Sequence, residues 1–498
     1  ELEEWAKVSG SQLLVINALR YQRPHPSHQS IQDVERLLPR LSERPELTLL
    51  THLSHHAPSH AQISALLPTD LQPAYDFEYI EVDEAGVRVL PLPAYREPYT
   101  YRDLGRIAYA EAWALQKELF EAQLDAKHEA LKALFAGLDI PAIEVFASAP
   151  QHYRMRAEFR IWHEDDAICY VMFSPGQKAS SATLQRVEQF APACKAINAL
   201  MPRLLAAASA DPVLRRRWYQ VEFLATLSGE MLVTMVYHRP LDDAWEAAAR
   251  QLQTALGIHV IGRSRSQKRV LSQDFVTERL EIPGPAGTPP APFLYRQPEG
   301  AFTQPNARMC ERMIGWACEA VQQAGISPAS DLLELYCGNG NFTLPLSRHF
   351  RQVLATEVSK TSVQAAQWNI QVNARPNVRI ARLSAEEYTQ AMQGERSFRR
   401  LREQEISLAD HDFSTVLVDP PRAGVDDATL ALLQRFPNIV YISCNPHTLR
   451  ANLDTLCRTH TVKRAALFDQ FPFTHHIESG VWLKKKNRLQ KYDNVVGC

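Results

Sequence analysis

Cys444 stands in Tyr441-Ile442-Ser443-Cys444-Asn445-Pro446, at the end of an apolar run that reads as a strand. A thiolate held at a strand end beside a ligand crevice can add to an electron-poor carbon; a thiol buried elsewhere is inert. A carboxylate suited to accept a proton follows at Glu478, in Phe471-Pro472-Phe473-Thr474-His475-His476-Ile477-Glu478. Upstream, Val418-Asp419-Pro420-Pro421-Arg422-Ala423-Gly424 closes another apolar run and offers a carboxylate and a guanidinium, unless the prolines only end a strand. Nucleophile, proton acceptor and cation together make a set for covalent catalysis with proton removal. His475 and His476 are adjacent, point apart and have no third ligand in the pattern, so no metal site is expected there.

A second set of residues is suited to binding. In Leu332-Leu333-Glu334-Leu335-Tyr336-Cys337-Gly338-Asn339-Gly340-Asn341-Phe342 a strand runs into a two-glycine turn and then a helix. The backbone can approach a ligand there, and the helix N-terminus would face it. Glu357 ends the next strand, nineteen positions after Gly338, where a carboxylate can accept hydrogen bonds from ribose hydroxyls. The turn departs from G-x-G-x-x-G and lacks the glycine that packs for a pyrophosphate, which favours S-adenosylmethionine over a dinucleotide.

The elements that must position these residues follow from the hydrophobic pattern. Apolar strands are expected at 332–336, 353–357, 378–381, 415–418, 439–443, 462–468 and 480–483, alternating with helices. This is an α/β, Rossmann-like, seven-stranded sheet covered on both faces. Before it, from 141 to 298, strand signals dominate. Over 152–162, Tyr153, Met155, Ala157, Phe159 and Ile161 alternate with Arg154, Arg156, Glu158 and Arg160, predicting a half-buried sheet with a basic outer face. Leu124, His128, Leu131 and Phe135 predict an amphipathic helix ended by Gly137.

The chain has 498 residues, enough for about three domains. Its formal charge of -2 argues at face value against a nucleic-acid coat. Counted by segment, the first 120 residues hold 11 Lys/Arg against 17 Asp/Glu, and the remainder 43 against 39. The neutral total therefore joins an acidic front to a slightly basic body. Arg215-Arg216-Arg217-Trp218-Tyr219 and the run from Arg263 to Arg269 join Arg154, Arg156 and Arg160 as candidates for phosphate contact and base stacking, against the plainer reading of solvated faces. Eight dispersed cysteines form no disulfide framework and no four-cysteine cluster, so a reducing, cytoplasmic setting without an iron–sulfur cluster is expected. No apolar stretch reaches the roughly 20 residues of a membrane span, and the start lacks a basic signal-peptide region.

The motifs Phe302-Thr303-Gln304-Pro305-Asn306, 337–342, Asp419-Pro420-Pro421-Arg422, Ser443-Cys444-Asn445-Pro446 and Asp469-Gln470-Phe471-Pro472 through Glu478 resemble the RNA uracil-5 methyltransferase family, most closely its transfer-RNA branch, over about 120–484. The resemblance implies that Gln304, Tyr336, Gly338, Asn341, Glu357 and Asp419 bind the methyl donor, S-adenosyl-L-methionine. It implies Cys444 as nucleophile and Glu478 as proton acceptor, and Arg422 is placed to steady charge on the uracil oxygen. The implied product is 5-methyluridine at the T-loop uridine (U54) of tRNA, formed through a Cys–C6 adduct by a monomer that would also accept tmRNA. The alternatives are a ribosomal-RNA uracil-5 methyltransferase and an RNA chaperone or binding module.

Residues 11–82, notably Leu49-Leu50-Thr51-His52-Leu53-Ser54-His55-His56, resemble the C-terminal piece of a metallo-β-lactamase-fold hydrolase. The H-x-H-x-D-H run of that family is absent, so no active metal site is expected. Residues 99–120 resemble the start of lipoyl/octanoyl transferases without their catalytic part. The expected division is 1–92 front fragment, 93–120 linker and helix, 121–300 β-rich RNA-binding domain, 301–484 methyltransferase domain and 485–498 basic tail.

Overall fold

The computed structural model describes residues 119–486 with their side chains, apart from 165–166, 174–183, 285–287 and 403–405; before residue 119 only backbone strands and the start of one helix are described. Two compact units result, Glu1–Glu121 and Ala122–Cys498. In the first, Leu13–Arg20 pairs in parallel with Leu47–Thr51, which pairs in parallel with Leu71–Pro73. His25, His28, His52, His55, His56 and His60 lie outside the described residues, as does the tail after residue 486.

The second unit begins within helix α1 (Tyr109–Leu134) and continues into β1 (Ile143–Phe146), β2 (Arg156–Glu164), β3 (Ala167–Phe173) and β4 (Leu184–Arg186). Helix α2 (Lys195–Ala210), strands β5 (Trp218–Ala225) and β6 (Met231–Tyr237), helix α3 (Asp243–Leu256) and strands β7 (His259–Ser264) and β8 (Gln267–Val270) follow. These strands, without β1, form a seven-stranded sheet in the order β4-β3-β2-β5-β6-β7-β8. The alternation of β2 is realised, with Ala157, Phe159 and Ile161 buried against α2 residues such as Ile197 and Met201. The outer face is less basic than expected, because Glu158 of β2 sits directly across from Glu222 of β5.

After a hairpin of β9 (Phe275–Ile282) and β10 (Ala291–Pro298) comes helix α4 (Ala307–Gln323). Then follow β11 (Asp331–Leu335), β12 (Val353–Thr356), helix α5 (Lys360–Val372), β13 (Val378–Ala381), β14 (Phe413–Val418), β15 (Asn438–Ser443), β16 (His460–Phe468) and β17 (Glu478–Lys485). The sheet order is β13-β12-β11-β14-β15-β17-β16-β1. All seven expected strands are present, and β11, β12 and β15 are buried along their whole length, as strands covered on both faces must be. An eighth, β1, adds in parallel at the β16 edge, with Ala465 opposite Ile143. One apolar core runs from Met155 through Trp316 to Trp482, so the β-rich part and the Rossmann-like part fold on common packing.

Helix α1 departs from the simple amphipathic pattern. Its buried stripe is Gln123, Lys127, Leu131 and Phe135, while His128 is only half-buried. The cause is Asp469, which is fully buried where β16 ends. Lys127 Nζ reaches its Oδ1 at 2.7 Å and the Phe471 carbonyl at 2.8 Å, and Gln123 Nε2 donates to its Oδ2 at 3.0 Å. A buried carboxylate demands partners more strongly than an apolar stripe demands symmetry.

Removing one member of such a pair strands the other in the interior. Asp469→Ala is expected to destabilise the protein by about 3 kcal/mol in chemical denaturation. The double variant Lys127→Met/Asp469→Leu should recover most of that loss; a double variant as unstable as Asp469→Ala would show that the pair is not the cause.

Candidate active site

The carboxyl ends of β11, β12, β14 and β15 open onto a cleft of about 720 Å³. Gln304, Tyr336, Gly338, Asn341, Glu357, Asp419, Arg422, Cys444 and Glu478 all line it, so the two residue sets singled out by type and spacing meet in one place, together with Gln304, which the family resemblance alone implied. Arg154, Arg156 and Arg160 are not among the lining residues.

The binding half is built by β11, β12 and the turn between them. Tyr336, Gly338 and Gly340 have positive φ values of 64°, 57° and 86°. Glycine adopts this conformation freely, but in tyrosine it is strained and persists only because its surroundings impose it. The Cys337 N–H donates to the Thr356 carbonyl at 3.0 Å, tying the turn to the end of β12. Glu357 accepts from the backbone N–H of Gly338 at 3.0 Å and of Ser359 at 2.7 Å. Its remaining lone pairs are left for hydroxyl donors in the cleft. The expected helix after the turn is a single turn, Thr343–Leu346, followed by a 3-10 turn. No long helix dipole therefore follows the turn, and the N–H groups of Cys337, Gly338 and Gly340 are spent on Thr356, Glu357 and the Cys337 carbonyl.

Several supports here carry no sequence signal. Asn341 donates to Cys310 Sγ at 3.1 Å and its carbonyl accepts from the Tyr295 hydroxyl at 3.0 Å. Asn369, fully buried in α5, donates to the Asn339 carbonyl at 2.8 Å and accepts from the Arg296 N–H at 2.7 Å, riveting the turn to β10. A scattered Asn, Cys or Tyr in a helix or hairpin gives no hint of such contacts until the chain is folded.

The reactive half depends on strand register. Ser443 of β15 pairs with Ser479 of the antiparallel β17. Cys444 and Glu478 lie just beyond this pair, one residue after Ser443 and one before Ser479, and both line the cleft. Ser443 Oγ accepts from the Asn445 N–H at 3.2 Å and shapes the turn. Asn445 Nδ2 and Thr448 Oγ1 then donate to the Arg422 carbonyl at 2.9 and 3.3 Å, fastening the β14 loop to the β15 loop. The Arg422 guanidinium stays exposed, 3.5 Å from His476 Nδ1. Among the described residues no group of three metal-ligating side chains occurs.

The electrostatics are those of acids held away from water. Burial, reinforced by Asp419, pushes the Glu478 carboxyl well above the ordinary range. Burial likewise raises Asp419 to about 7. The Cys444 thiol is raised by burial first and then by the Glu478 and Asp419 carboxyls, with Arg422 opposing. A carboxylate of raised proton affinity is suited to take a proton from carbon near neutral pH.

The basic candidates are more occupied than their sequence suggests. Arg156 Nη1 donates to the Ala301 carbonyl at 2.9 Å, bracing the segment that carries Thr303 and Gln304. Arg154 bonds the Arg156 carbonyl and lies 5.3 Å from the centre of the Phe471 ring. Arg263 pairs with Glu299 through two 2.6 Å bonds, Lys268 with Asp274, and Arg269 with Asp243 and Glu246. Arg160 differs: its guanidinium lies 4.1 Å over Tyr219, which stacks on His238 at 3.7 Å.

Residues 119–486 match a family model described as tRNA (Uracil-5-)-methyltransferase. A tRNA/tmRNA (uracil-C(5))-methyltransferase of Neisseria meningitidis serogroup B is 62% identical over 367 residues, 74% of this chain and 99% of the relative. One from Acinetobacter baylyi is 54% identical over the same length, again 74% of this chain and 99% of the relative. In structure, the Pyrococcus abyssi tRNA (uracil-54, C5)-methyltransferase, solved with S-adenosyl-L-homocysteine, aligns with a TM-score of 0.54 at 19% identity. That alignment covers 73% of this chain and 83% of that one, and it shows a common fold. With three quarters of its length matched at this level, and with the cleft residues inside the matched span, the chain belongs to the tRNA (uracil-5-)-methyltransferase family.

Proposed function

We propose that this chain transfers a methyl group from S-adenosyl-L-methionine to C5 of the T-loop uridine (U54) of tRNA, through a covalent adduct on Cys444. The carrying observation is that Cys444 and Glu478, flanking the last pair of the β15–β17 ladder, line the cleft that also holds the Gly338–Glu357 half-site. That half-site fits a nucleoside bearing a charged tail. It offers a carboxylate for ribose hydroxyls, a two-glycine turn that a ligand can approach closely, and about 720 Å³ of space. When bound, the methyl donor supplies a methyl on a sulfonium centre, held by Gln304, Tyr336, Gly338, Asn341, Glu357 and Asp419.

C5 of uracil is a weak nucleophile. Addition of the Cys444 thiolate at C6 pushes electron density onto C5, which takes the methyl group, while Arg422 steadies the enolate oxygen. C5 then carries both methyl and hydrogen. Glu478 accepts that proton, the C6–S bond breaks, and the thiolate leaves as the ring regains its double bond. The base must first leave its stack, which costs a few kcal/mol and least in a loop.

In this reading, residues 121–300 hold the RNA and 301–484 carry out the transfer. The Arg160–Tyr219–His238 stack supports an RNA-facing platform, since aromatic and guanidinium planes receive unstacked bases. Arg154 and Arg156 act on the same side, mainly by bracing the mouth of the cleft. Acceptance of tmRNA, action as a monomer and a cytoplasmic location complete the proposal. Seven free cysteines among the described residues support a reducing location. Among those residues no helix is long and apolar enough to cross a membrane.

Two outcomes test the mechanism. Cys444→Ala should abolish both methylation and the adduct with 5-fluorouridine RNA, whereas Glu478→Gln should form an adduct with tRNA that persists through denaturing electrophoresis; an active Cys444→Ala protein would end the covalent reading. Methylated total RNA, digested and mapped, should carry the label at U54. The raised thiol gives a pH test. The thiolate is the reactive form, so iodoacetamide should label Cys444 slowly at neutral pH, and faster as pH climbs past the ordinary thiol value of about 8.5. Arg422→Gln removes the opposing cation and should slow labelling further at any given pH below that rise.

A further inference from the structure

Gln470 is buried behind the cleft and is not among its lining residues. Its backbone is fixed on both sides: its N–H donates to the Phe468 carbonyl at 2.8 Å, and its carbonyl accepts from Asn306 Nδ2 at 3.2 Å. The preceding residue is Asp469, pinned by Lys127 and Gln123. From this held position Gln470 Nε2 donates to Oε1 of Gln304 at 2.6 Å, while Gln470 Oε1 is buried without a partner.

The direction of that bond matters. If both amides were reversed, the Gln470 NH2 group would be buried with two donor hydrogens unpaired. Orphaned N–H groups are rarer in protein interiors than under-satisfied carbonyl oxygens. Gln304 therefore has its oxygen engaged from behind, and what it turns toward the cleft is its NH2. A donor fixed there matches an acceptor oxygen and repels an amino group.

We propose that Gln470 is a positioning residue that locks Gln304 as a hydrogen-bond donor to an acceptor oxygen of a cleft ligand. Resting on the function proposed above, that oxygen belongs either to a uracil carbonyl or to the carboxylate of the methyl donor. If it is the C4 carbonyl, the lock discriminates against cytosine, which has an amino group at C4 and would undergo the same thiolate addition at C6.

The test uses the full chain with Gln470→Met and Gln470→Asn, the latter too short to reach Gln304 but still polar, each alone and combined with Gln304→Ala. S-adenosylhomocysteine binding is measured by calorimetry without RNA, and kcat/KM is measured on T-arm RNA. Either Gln470 variant should weaken one of the two readouts by about tenfold, the loss of one good hydrogen bond. Neither should lose anything further in the Gln304→Ala background. A loss confined to kcat/KM assigns the oxygen to the base, and a loss in homocysteine-ligand binding assigns it to the donor's carboxylate. Both readouts within twofold of the parent, or an equal loss with and without Gln304, overturn the proposal. If the parent chain itself fails to methylate uridine, the functional reading falls, and the binding arm still decides the lock.

Discussion

The chemistry of this molecule rests on one strand inserted against the direction of its neighbours. Strand β17 lies antiparallel between β15 and β16, and its register sets Ser479 against Ser443. Cys444 and Glu478 are 34 residues apart in sequence, yet each lies one residue beyond that pair and both line the cleft. A parallel insertion would carry the start of β17 to the far end of the sheet and separate Glu478 from Cys444 by the length of a strand. The other cleft residues are held from neighbouring strands. The turn after β11 and Glu357 hold the binding half, and the β14 loop is fastened to the β15 loop through Asn445 and Thr448.

The cleft concentrates acids with few cations. Asp419 and Glu478 both resist ionisation because they are shielded from water, and their nearness makes them titrate as a pair. Glu334, one strand position before the turn, is fully buried and pushed up to about 8 by the same cause. Arg422 is the cation opposing the rise of the thiol, and it is exposed. The resting cleft therefore favours a protonated thiol.

Support for the site comes largely from outside it. Helix α1 and the loop after β16 meet through Lys127, Gln123 and Asp469, and the next residue, Gln470, passes that rigidity to Gln304. Arg156 braces the other end of the same segment through Ala301. The β-rich part and the Rossmann-like part are thus joined by polar contacts at the cleft as well as by the core that runs from Met155 to Trp482.

Motif and periodicity were enough to locate the seven strands of the Rossmann-like sheet and, in the cleft, the two-glycine turn, Glu357, Asp419, Arg422, Cys444 and Glu478, because each depends on local patterning: apolar runs, positive-φ glycines and polar residues at strand ends; Gln304 was legible only through the family resemblance. The face of α1, the one-turn helix after Asn341 and the pairing of Arg263, Lys268 and Arg269 were not legible. A lysine in an amphipathic stretch reads as solvated, and only a buried aspartate some 340 residues away turns it inward. Sequence by itself determined which groups could react and at which strand ends they sit. Tertiary structure alone decided which of them meet in one cleft, which cations are already spent on carboxylates, and which amide is held from behind by Gln470, since each is settled by partners brought together only when the chain closes on itself.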